Sequence, residues 1–342
     1  MTKHALVTGG LGFIGSNLVD ALCESGWQVD VVDDMSNGHL KFLESKENEP
    51  VKRVRTVHVN MLPIWESSHE ESRRENEVLV ITGDFANDEV LSRVRRGLYS
   101  TVFHMAANPR VEYSVINPTE TTEQNVLKTV GLFEVAASSG TRVVFSSSSA
   151  VYGNVERLPT KETSTCSPRS PYALQKYVCE QFATLFSSLY KLDVVCLRYF
   201  NVYGPRQYGD SPYATAIAAW CDKVANDDPL RSDGDGTQSR DMVYVGDVVT
   251  ANITAALRHD KFNGDVYNVA TGERYTNKRI LSMFEEQFNE ICITQAPERP
   301  GDVKHTQADV RRSTNELGFK AATTLVDGLK KTWEWWGLYN GK

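Results

Sequence analysis

The 342-residue sequence lacks the features that mark metal-binding, exported, membrane-spanning or nucleic-acid-binding proteins. Its six cysteines are scattered without a CxxC pair and its seven histidines form no HExxH motif, so we expect reduced thiols and no metal site. No apolar run approaches the roughly 18 to 20 residues that a membrane span requires. With 37 Lys and Arg against 44 Asp and Glu, the net charge is −7, and the absence of a basic stripe argues against nucleic-acid binding.

The sequence does have the composition of an ordinary folded protein. Hydrophobic residues make up 41% and charged residues 24%, close to the average for globular domains. At roughly 100 to 200 residues per domain, the length suggests one large or two modest domains. The first ten residues, MTKHALVTGG, carry no apolar signal region and no cleavage site, so we expect a cytoplasmic protein.

Short β-branched runs alternate with stretches of helical spacing in the first half of the chain. The strand-like runs lie at residues 5–7, 29–32, 78–81, 101–103 and 142–145, and a helical stretch covers 14–25. Fully apolar strands separated by helices indicate βαβ units, which predict an α/β fold with a doubly wound parallel sheet. Further strands are expected at 194–199 and 266–269, and further helices at 278–288 and 325–336.

Residues 44–77 break this alternation. They are polar and rich in charge, with short apolar islands at 54–59 and 63–65. We expect a surface insertion between the second strand and the next βα unit, and a partner-binding loop is the alternative.

A glycine-rich turn, TGGLGFIGS at residues 8–16, follows the first strand and opens the first helix. Gly9, Gly12 and Gly15 suit a tight turn, close approach of the backbone to a pyrophosphate, and helix–strand packing. Asp33 ends the second strand and is placed to accept hydrogen bonds from ribose hydroxyls; no Arg follows it directly, which favours NAD over NADP. The cofactor residues predicted here are Gly9, Gly12, Phe13, Ile14, Gly15, Asp33, Asp34, Asn37 and Gly38.

The carboxyl ends of the third and fourth strands would line the same crevice. Asp84 follows the third strand and is placed to bind the adenine amino group, while the small residues of HMAAN at 104–108 let a cofactor lie against the backbone. Asn125, on the next helix, is expected to hold the following loop. The cofactor residues predicted from this region are Asp84, Phe85, Met105, Ala106, Ala107 and Asn125.

A serine-rich strand end and a tyrosine–lysine pair form the candidate catalytic group. The fifth strand runs into SSSSAVYG at 146–153, and SPYALQK follows at 170–176. Tyr172 and Lys176 are four residues apart, so they share one face of a helix. A tyrosine has a pKa of about 10, and a neighbouring ammonium and a positive nicotinamide ring would lower that pKa toward neutrality. An ordinary Tyr/Lys helix pair is the alternative interpretation.

Together these motifs resemble the extended short-chain dehydrogenase/reductase superfamily, and within it the nucleotide-sugar 4-epimerases of the UDP-glucose 4-epimerase type. The resemblance includes LRYFNVYGPRQ at 197–207 and RPGD at 299–302. It implies a Rossmann-like NAD-binding domain at 1–190 with contributions from 240–265, and a smaller C-terminal α/β domain at 191–342 that binds the nucleotide sugar. It also implies a homodimer that pairs through helices at about 119–138 and 172–190.

The resemblance assigns catalysis to Ser148, Tyr172 and Lys176. Tyr172 would remove the proton from the sugar 4-hydroxyl while C4 gives its hydride to NAD. Ser148 would hold O4, and Lys176 would bind the nicotinamide ribose. The 4-keto sugar would then turn over and take the hydride back on its opposite face, so NAD would stay tightly bound and be regenerated in each turnover.

The resemblance also implies substrate contacts in the second half. Asn201 and the arginines Arg240 and Arg299 would bind the diphosphate, since a guanidinium suits phosphate, and Asp302 would bind the uridine ribose. Phe200 is implied at the cofactor. The further residues implied at the substrate are Arg110 and Thr306, in addition to Ser148 and Tyr172 at the sugar. Arg110 would touch the sugar or face solvent. Thr306 stands where the family gates the sugar pocket, and a small residue there would admit a 2-acetamido group.

Sister enzymes differ at the same strand end. Ser149 and Ala150 stand where the family's 4,6-dehydratases carry an Asp-Glu pair, so the groups for water elimination are missing. Asn201 in place of Thr favours a neutral sugar over UDP-glucuronate. We therefore predict a UDP-hexose 4-epimerase for UDP-Glc/UDP-Gal, with UDP-GlcNAc/UDP-GalNAc as a further substrate pair. The alternatives are a UDP-glucuronate 4-epimerase, a nucleotide-sugar oxidoreductase, or a non-catalytic NAD-binding regulator.

Overall fold

The computed structural model describes residues 3–44, 53–69, 77–209, 215–288, 291–298 and 303–338. The chain divides into two compact units, and it passes between them several times. The first unit comprises Met1–Ser147, Ser170–Leu197 and Asn252–Tyr267, and the second comprises Ser148–Arg169, Arg198–Ala251 and Asn268–Lys342. Within the described ranges, no helix is both long and apolar enough to span a bilayer.

The secondary structure alternates strands and helices along most of the chain. The strands are β1 (His4–Thr8), β2 (Gln28–Asp33), β3 (Arg53–His58), β4 (Glu77–Thr82), β5 (Thr101–His104), β6 (Arg142–Ser148), β7 (Val194–Tyr199), β8 (Asn201–Tyr203), β9 (Leu230–Asp233), β10 (Ser239–Arg240), β11 (Met242–Tyr244), β12 (Asn263–Val269), β13 (Tyr275–Thr276) and β14 (Ile293–Ala296). The helices are α1 (Phe13–Glu24), α2 (Leu62–His69), α3 (Asp88–Arg95), α4 (Val111–Ile116), α5 (Pro118–Thr122), α6 (Lys128–Ser139), α7 (Pro171–Tyr190), α8 (Ala216–Ala225), α9 (Val245–Leu257), α10 (Asn277–Gln287) and α11 (Leu325–Trp335). A π-helical turn at Glu123–Leu127 joins α5 to α6.

Eight strands form one sheet in the order β12-β7-β6-β5-β1-β2-β4-β3. The pairs β5–β6, β1–β5, β1–β2, β2–β4 and β3–β4 are all parallel. Most residues of β1, β2, β4, β5, β6 and β7 are buried, as expected for strands covered on both faces. The predicted doubly wound parallel sheet of the Rossmann type is thereby confirmed. The strand order reverses between β1 and β5, where such sheets bind ligands.

Residues 53–69 differ from the expected surface insertion. They form the edge strand β3, which pairs in parallel with β4, followed by α2. Val57, Val59, Leu62 and Trp65 are buried in the core of the sheet. The expectation of a surface insertion is therefore wrong for this part of 44–77, because a few apolar side chains inside a polar segment were enough to add a strand.

The second unit contains short strand pairs around its own core. β11 pairs in parallel with β8, β14 in parallel with β9, and β10 antiparallel with β13. In the core, the Phe284 ring lies edge-on to Trp220 at 5.7 Å and to Trp333 at 5.2 Å between centroids. This aromatic cluster joins α8, α10 and α11, and it gives the second unit a hydrophobic core independent of the large sheet.

A buried ion-pair network attaches α2 and α3 to the sheet in the first unit. The Arg93 guanidinium and the Asp30 carboxylate are both fully buried, with Nη2 2.9 Å from Oδ2. Arg93 Nε donates to Tyr99 Oη at 2.8 Å, Tyr99 Oη donates to Asp30 at 2.8 Å, and a second nitrogen of Arg93 donates to Glu66 of α2. Removing one member would leave a buried charge without its partner.

We therefore expect Arg93→Met to lower the free energy of unfolding by about 3–5 kcal/mol, because Asp30 would stay buried without the positive charge of the arginine. Urea denaturation followed by circular dichroism measures this loss. The matched control is Arg96→Met, whose side chain also contacts Glu66 but is 50% exposed, so it should cost less than about 1 kcal/mol. Equal losses in the two variants would contradict the role given to the buried pair.

Candidate active site

The glycine turn between β1 and α1 has room for backbone only. Gly9 has a φ of +69°, and a Cβ on it would lie 2.8 Å from the Ala106 backbone nitrogen. A Cβ on Gly15 would overlap the Gly9 carbonyl oxygen. Gly12 precedes α1 without a side-chain cap, which leaves the first N–H groups of the helix, those of Phe13 and Ile14 among them, as donors for a phosphate.

The loop after β2 closes on the carboxylate of Asp33. Asp33 Oδ2 accepts from Leu11 N at 3.0 Å and Oδ1 accepts from Met35 N at 2.8 Å. Burial raises the pKa of Asp33, and these two hydrogen bonds oppose that rise. A Cβ on Gly38 would lie 2.8 Å from Asp33 Oδ1. Each carboxylate oxygen can accept a second hydrogen bond, so the carboxylate fits the ribose hydroxyls of a dinucleotide. Asp34 Oδ1 accepts from Ser36 N and shapes the same loop.

The buried His104 joins the carboxyl ends of β1 and β5. Its Nδ1 lies 2.7 Å from Thr8 Oγ1 and its Nε2 lies 2.9 Å from Thr129 Oγ1. Burial, with a smaller contribution from the Lys176 cation, lowers the pKa of His104 to about 3, so the ring is neutral at ordinary pH. Thr8 also accepts from the N–H groups of Met105 and Ala106. The segment predicted to lie against the cofactor is thereby held beside the glycine turn.

Asn125 holds the loop that follows β5. Its Oδ1 accepts from Asn108 N at 2.7 Å, and its Nδ2 donates to Asn108 O at 3.1 Å and to Gln175 Oε1 at 2.8 Å. In the structure Asn125 therefore holds a loop that precedes it in the chain, whereas the prediction placed it at the following loop. It also makes a link to α7 through Gln175, which sequence reasoning missed. A contact of Asn125 with the cofactor stays a prediction.

Other predicted residues of this region have protein partners in the structure. Asp84 Oδ2 accepts from Lys128 Nζ at 2.6 Å. Phe85 is buried beside the His104 ring, with centroids 4.8 Å apart. Arg110, expected at the sugar, donates to Asn37 Oδ1 at 2.5 Å. Arg110 is thereby paired with a residue of the predicted cofactor loop.

The start of α7 explains the spacing of the tyrosine and the lysine. Ser170 Oγ accepts from Ala173 N at 3.2 Å, and Pro171 occupies the first turn; a serine cap followed by proline is a strong helix start. Tyr172 N donates to Ser114 Oγ at 3.1 Å, which joins the first turn to α4. The predicted pair therefore does lie on one helical face, with Lys176 Nζ 6.0 Å from the centroid of the Tyr172 ring.

Lys176 is buried, with 3% of its surface exposed. Its Nζ donates to Ser146 O at 2.7 Å and lies 4.8 Å from the centroid of the Phe145 ring. Burial lowers the pKa of Lys176 to about 8, because an ammonium is poorly solvated in the protein interior. The side chain is therefore held in one position in the protein interior, unlike a solvated lysine on the surface.

Ser148 is the last residue of β6 and belongs to the second unit. Its Oγ accepts from Ala150 N at 3.2 Å and caps the short 3-10 turn at Ser149–Tyr152. Tyr152 Oη donates to Asn268 Oδ1 at 2.6 Å, and the Arg198 guanidinium lies 4.6 Å from the centroid of the Tyr152 ring. The segment after Ser148 is thereby fixed by buried side chains.

The second unit also brings two predicted substrate residues together. Asn201 Nδ2 donates to Thr306 Oγ1 at 3.2 Å, and the same oxygen accepts from Asp241 N. Thr306 and Phe200 line one small cleft together with Tyr152 and His305. Arg240 Nη1 donates to Lys304 O at 3.2 Å. The other two predicted substrate residues, Arg299 and Asp302, lie outside the described residues.

Asp241 is a positioning residue that sequence reasoning missed. Its buried carboxylate accepts from Thr271 N, Thr271 Oγ1, Gly272 N and Ala308 N. Burial raises the pKa of Asp241, and these donors oppose that rise. The carboxylate thus joins two chain segments, at 271–272 and at 308, to the residue that follows Arg240. The only signal in the sequence was its place directly after that arginine.

The parallel sheet, the glycine turn and the tyrosine–lysine helix define a dinucleotide-dependent enzyme of the short-chain dehydrogenase/reductase type. The model of the NAD dependent epimerase/dehydratase family matches residues 5–270. The chain belongs to this family, and NAD is its cofactor. The all-backbone turn, the N-terminus of α1 and the Asp33 carboxylate fit the pyrophosphate and ribose of that cofactor.

Named proteins resemble the chain over nearly its whole length. It is 30% identical over 343 residues to the UDP-glucose 4-epimerase of Mycolicibacterium smegmatis, covering 97% of each chain. A UDP-N-acetylglucosamine 4-epimerase from Methanobrevibacter ruminantium, solved with UDP-N-acetylmuramic acid, is 34% identical, with a TM-score of 0.83 and 98% of each chain covered. The Thermus thermophilus UDP-glucose 4-epimerase, solved with NAD, is 29% identical, with a TM-score of 0.80 over 98% of this chain and 99% of that one.

The glycine turn gives a direct test of cofactor binding. We expect Gly15→Ala to weaken NAD binding at least tenfold, about 1.4 kcal/mol, because the added Cβ would displace the Gly9 carbonyl in the turn. Isothermal titration with NAD measures the affinity, and circular dichroism confirms that the variant is folded. The control is Gly131→Ala in α6, where a Cβ meets no described heavy atom within 4 Å. A folded Gly15→Ala protein with wild-type affinity would contradict this site.

Proposed function

We propose that this protein is an NAD-dependent epimerase that inverts C4 of a UDP-hexose through a 4-keto intermediate. The proposal depends on the position of Lys176. This buried side chain lies near the start of α7, donates a hydrogen bond to Ser146 O and has its Nζ 6.0 Å from the centroid of the Tyr172 ring. A lysine one helical turn after a tyrosine, on the same face, suits proton transfer between that tyrosine and a substrate hydroxyl. The activities named for the relatives from Mycolicibacterium and Methanobrevibacter support the reaction.

In this proposal the side chains move and stabilise one proton. Tyr172, as the phenolate that the Lys176 cation favours, takes the proton of the sugar 4-hydroxyl and becomes a neutral phenol. The Ser148 hydroxyl donates to O4 and keeps it in line with the phenol. NAD, when bound, supplies the reversible hydride chemistry at C4. Tyr172 returns the proton to O4 in the second half-reaction, so the protein ends each turnover unchanged.

The two units would divide the ligands between them. The first unit would hold NAD at the glycine turn and Asp33, and the NAD would remain bound between turnovers. The second unit would hold the UDP moiety, with Asn201, Arg240 and Arg299 at the diphosphate and Asp302 at the ribose. The paired Asn201 and Thr306 and the buried Asp241 behind Arg240 support this assignment.

The range of sugars would depend on the cleft beside Thr306. The short Thr306 side chain is fixed by bonds from Asn201 and Asp241, and it lines the cleft with Phe200. We propose that a side chain this short admits a 2-acetamido group, so that UDP-GlcNAc and UDP-GalNAc interconvert as well as UDP-Glc and UDP-Gal. The Methanobrevibacter structure of a UDP-N-acetylglucosamine 4-epimerase supports this choice.

Replacement of the tyrosine tests the chemistry. We expect Tyr172→Phe to lower kcat by about 10²–10⁴, the usual contribution of a general base, while bound NAD is retained. The assay incubates the protein with UDP-Glc or UDP-GlcNAc without added NAD and separates the C4 epimers by chromatography. The control is Tyr177→Phe, a half-buried tyrosine farther along α7.

The outcomes separate the candidate functions. Conversion of neither sugar by the wild-type protein would remove the assignment, and conversion of UDP-glucuronate alone would favour the glucuronate epimerase. Undiminished turnover in Tyr172→Phe would place the proton transfer elsewhere.

The outer face of α7 supports a homodimer. Leu174, Leu185 and Leu189 are 51%, 49% and 58% exposed, and their spacing places them along one stripe of the helix. Leu127 of the neighbouring π-helical turn is 67% exposed. Such apolar side chains on a folded protein commonly mark a contact with another chain, and we propose a second copy of this chain as the partner.

Charge on this stripe should separate the subunits. We expect the double variant Leu185→Glu, Leu189→Glu to run as a monomer of 38.3 kDa in light scattering at micromolar concentration, because burying two carboxylates at an interface is unfavourable. Leu257→Glu in α9, at a leucine that is 44% exposed, should leave the dimer intact. A wild-type monomer at the same concentration would remove the proposed dimer.

A further inference from the structure

Two neighbouring residues of β6 are bonded to two residues one turn apart on α7. Ser146 O accepts from Lys176 Nζ at 2.7 Å, and Ser147 Oγ donates to Glu180 Oε1 at 2.5 Å. All four residues are buried, and Glu180 is only 1% exposed. A carboxylate this deep is uncommon and needs a specific partner.

These two bonds fix the helix against the strand. Lys176 and Glu180 are four residues apart and therefore share a face of α7, while Ser146 and Ser147 present a carbonyl and a hydroxyl from consecutive positions of β6. The two contacts lie one helical turn apart, so together they restrict the rotation of α7 against β6 more than either would alone. Tyr172 lies one turn before Lys176, and Ser148 directly follows Ser147, so both proposed reacting side chains are carried on the segments that these bonds fix.

The buried Glu180 also places a negative charge near Lys176. The groups that face Lys176 are the thiols of Cys179 and Cys196, the carboxylate of Glu180, the neutral His104 ring and Tyr172. Burial lowers the pKa of Lys176 to about 8, and the neighbouring Cys179, Cys196 and the negative charge of Glu180 oppose this effect. The Ser147 hydroxyl compensates in turn for the water that the buried carboxylate has lost.

We propose that Glu180 is a positioning residue of the catalytic centre, which orients the end of β6 through Ser147 and places a negative charge one helical turn after Lys176. The catalytic part of this inference rests on the proposed epimerase function. A purely structural carboxylate, in contrast, would affect stability and leave the behaviour of Lys176 unchanged.

Two variants separate the bond from the charge. Glu180→Gln keeps an oxygen that can accept from Ser147 but removes the charge, whereas Ser147→Ala keeps the charge and removes the bond. The first readout is the dissociation constant for NAD as a function of pH, because Lys176 is assigned to the nicotinamide ribose. The second is the pH profile of kcat with the UDP-sugar that the wild-type protein converts.

We expect Glu180→Gln to move the alkaline loss of NAD affinity, and the alkaline fall of kcat, to lower pH than in the wild-type protein. The direction follows because Lys176, without the neighbouring carboxylate, loses its proton at lower pH. We expect Ser147→Ala to lower kcat about tenfold with KM and the pH profile unchanged, because it disturbs orientation only. The control is Glu77→Gln, a buried glutamate of β4 paired with Arg55, which should leave both profiles at their wild-type positions.

The outcomes are decisive in each direction. Wild-type pH profiles for both NAD binding and kcat in a folded Glu180→Gln protein would overturn the inference. If the wild-type protein binds NAD but converts no UDP-sugar, the proposed function fails, and a shifted NAD-binding profile in Glu180→Gln would still uphold the effect on Lys176. Should Glu180→Gln fail to fold, an unchanged kcat in Ser147→Ala would count against the positioning role.

Discussion

The structure of the candidate site depends on one buried cation. Lys176 is held under Tyr172 by a single carbonyl oxygen, with aromatic and thiol groups around it in place of water. Such a group is costly to bury, so the fold has to supply compensation nearby. It does so with a strand-end carbonyl and with a second buried charge on the next helical turn. The arrangement of β6 against α7 is therefore set by charge solvation as much as by apolar packing.

Close packing of backbone atoms shapes the part of the site that fits the cofactor. Backbone atoms of the glycine turn and of Ala106 are so close that a side chain on Gly9 would collide with them, and His104 holds the two strand ends together as a neutral ring. A dinucleotide can then be bound by N–H groups and one carboxylate without flexible cationic side chains. Such rigid donors lose little entropy on binding, which would suit the proposed retention of NAD between turnovers.

Much of the first unit is predictable from the sequence, and the reasons are local. The strand–glycine–helix pattern, the acid at the end of β2 and the four-residue spacing of Tyr172 and Lys176 are encoded within short segments. The edge strand β3 was missed because its few apolar residues lie in a polar segment, and pairing with β4 supplied the rest of its stability. Glu180, Asp241 and Gln175 were missed for another reason: a buried polar side chain is recognised only by partners that are distant in sequence.

Helix α7 combines polar contacts with β6, the candidate catalytic tyrosine and an exposed apolar stripe in one element. Its inner face carries Lys176 and Glu180 against β6, its first turn presents Tyr172, and its outer stripe carries exposed leucines. A partner chain on the outer stripe would press the helix onto the strand that already holds it by two polar bonds. A substitution on either face would then alter the position of Tyr172, because a helix of 20 residues moves largely as a rigid rod. Subunit pairing and proton transfer, as proposed, would thus both depend on the position of α7.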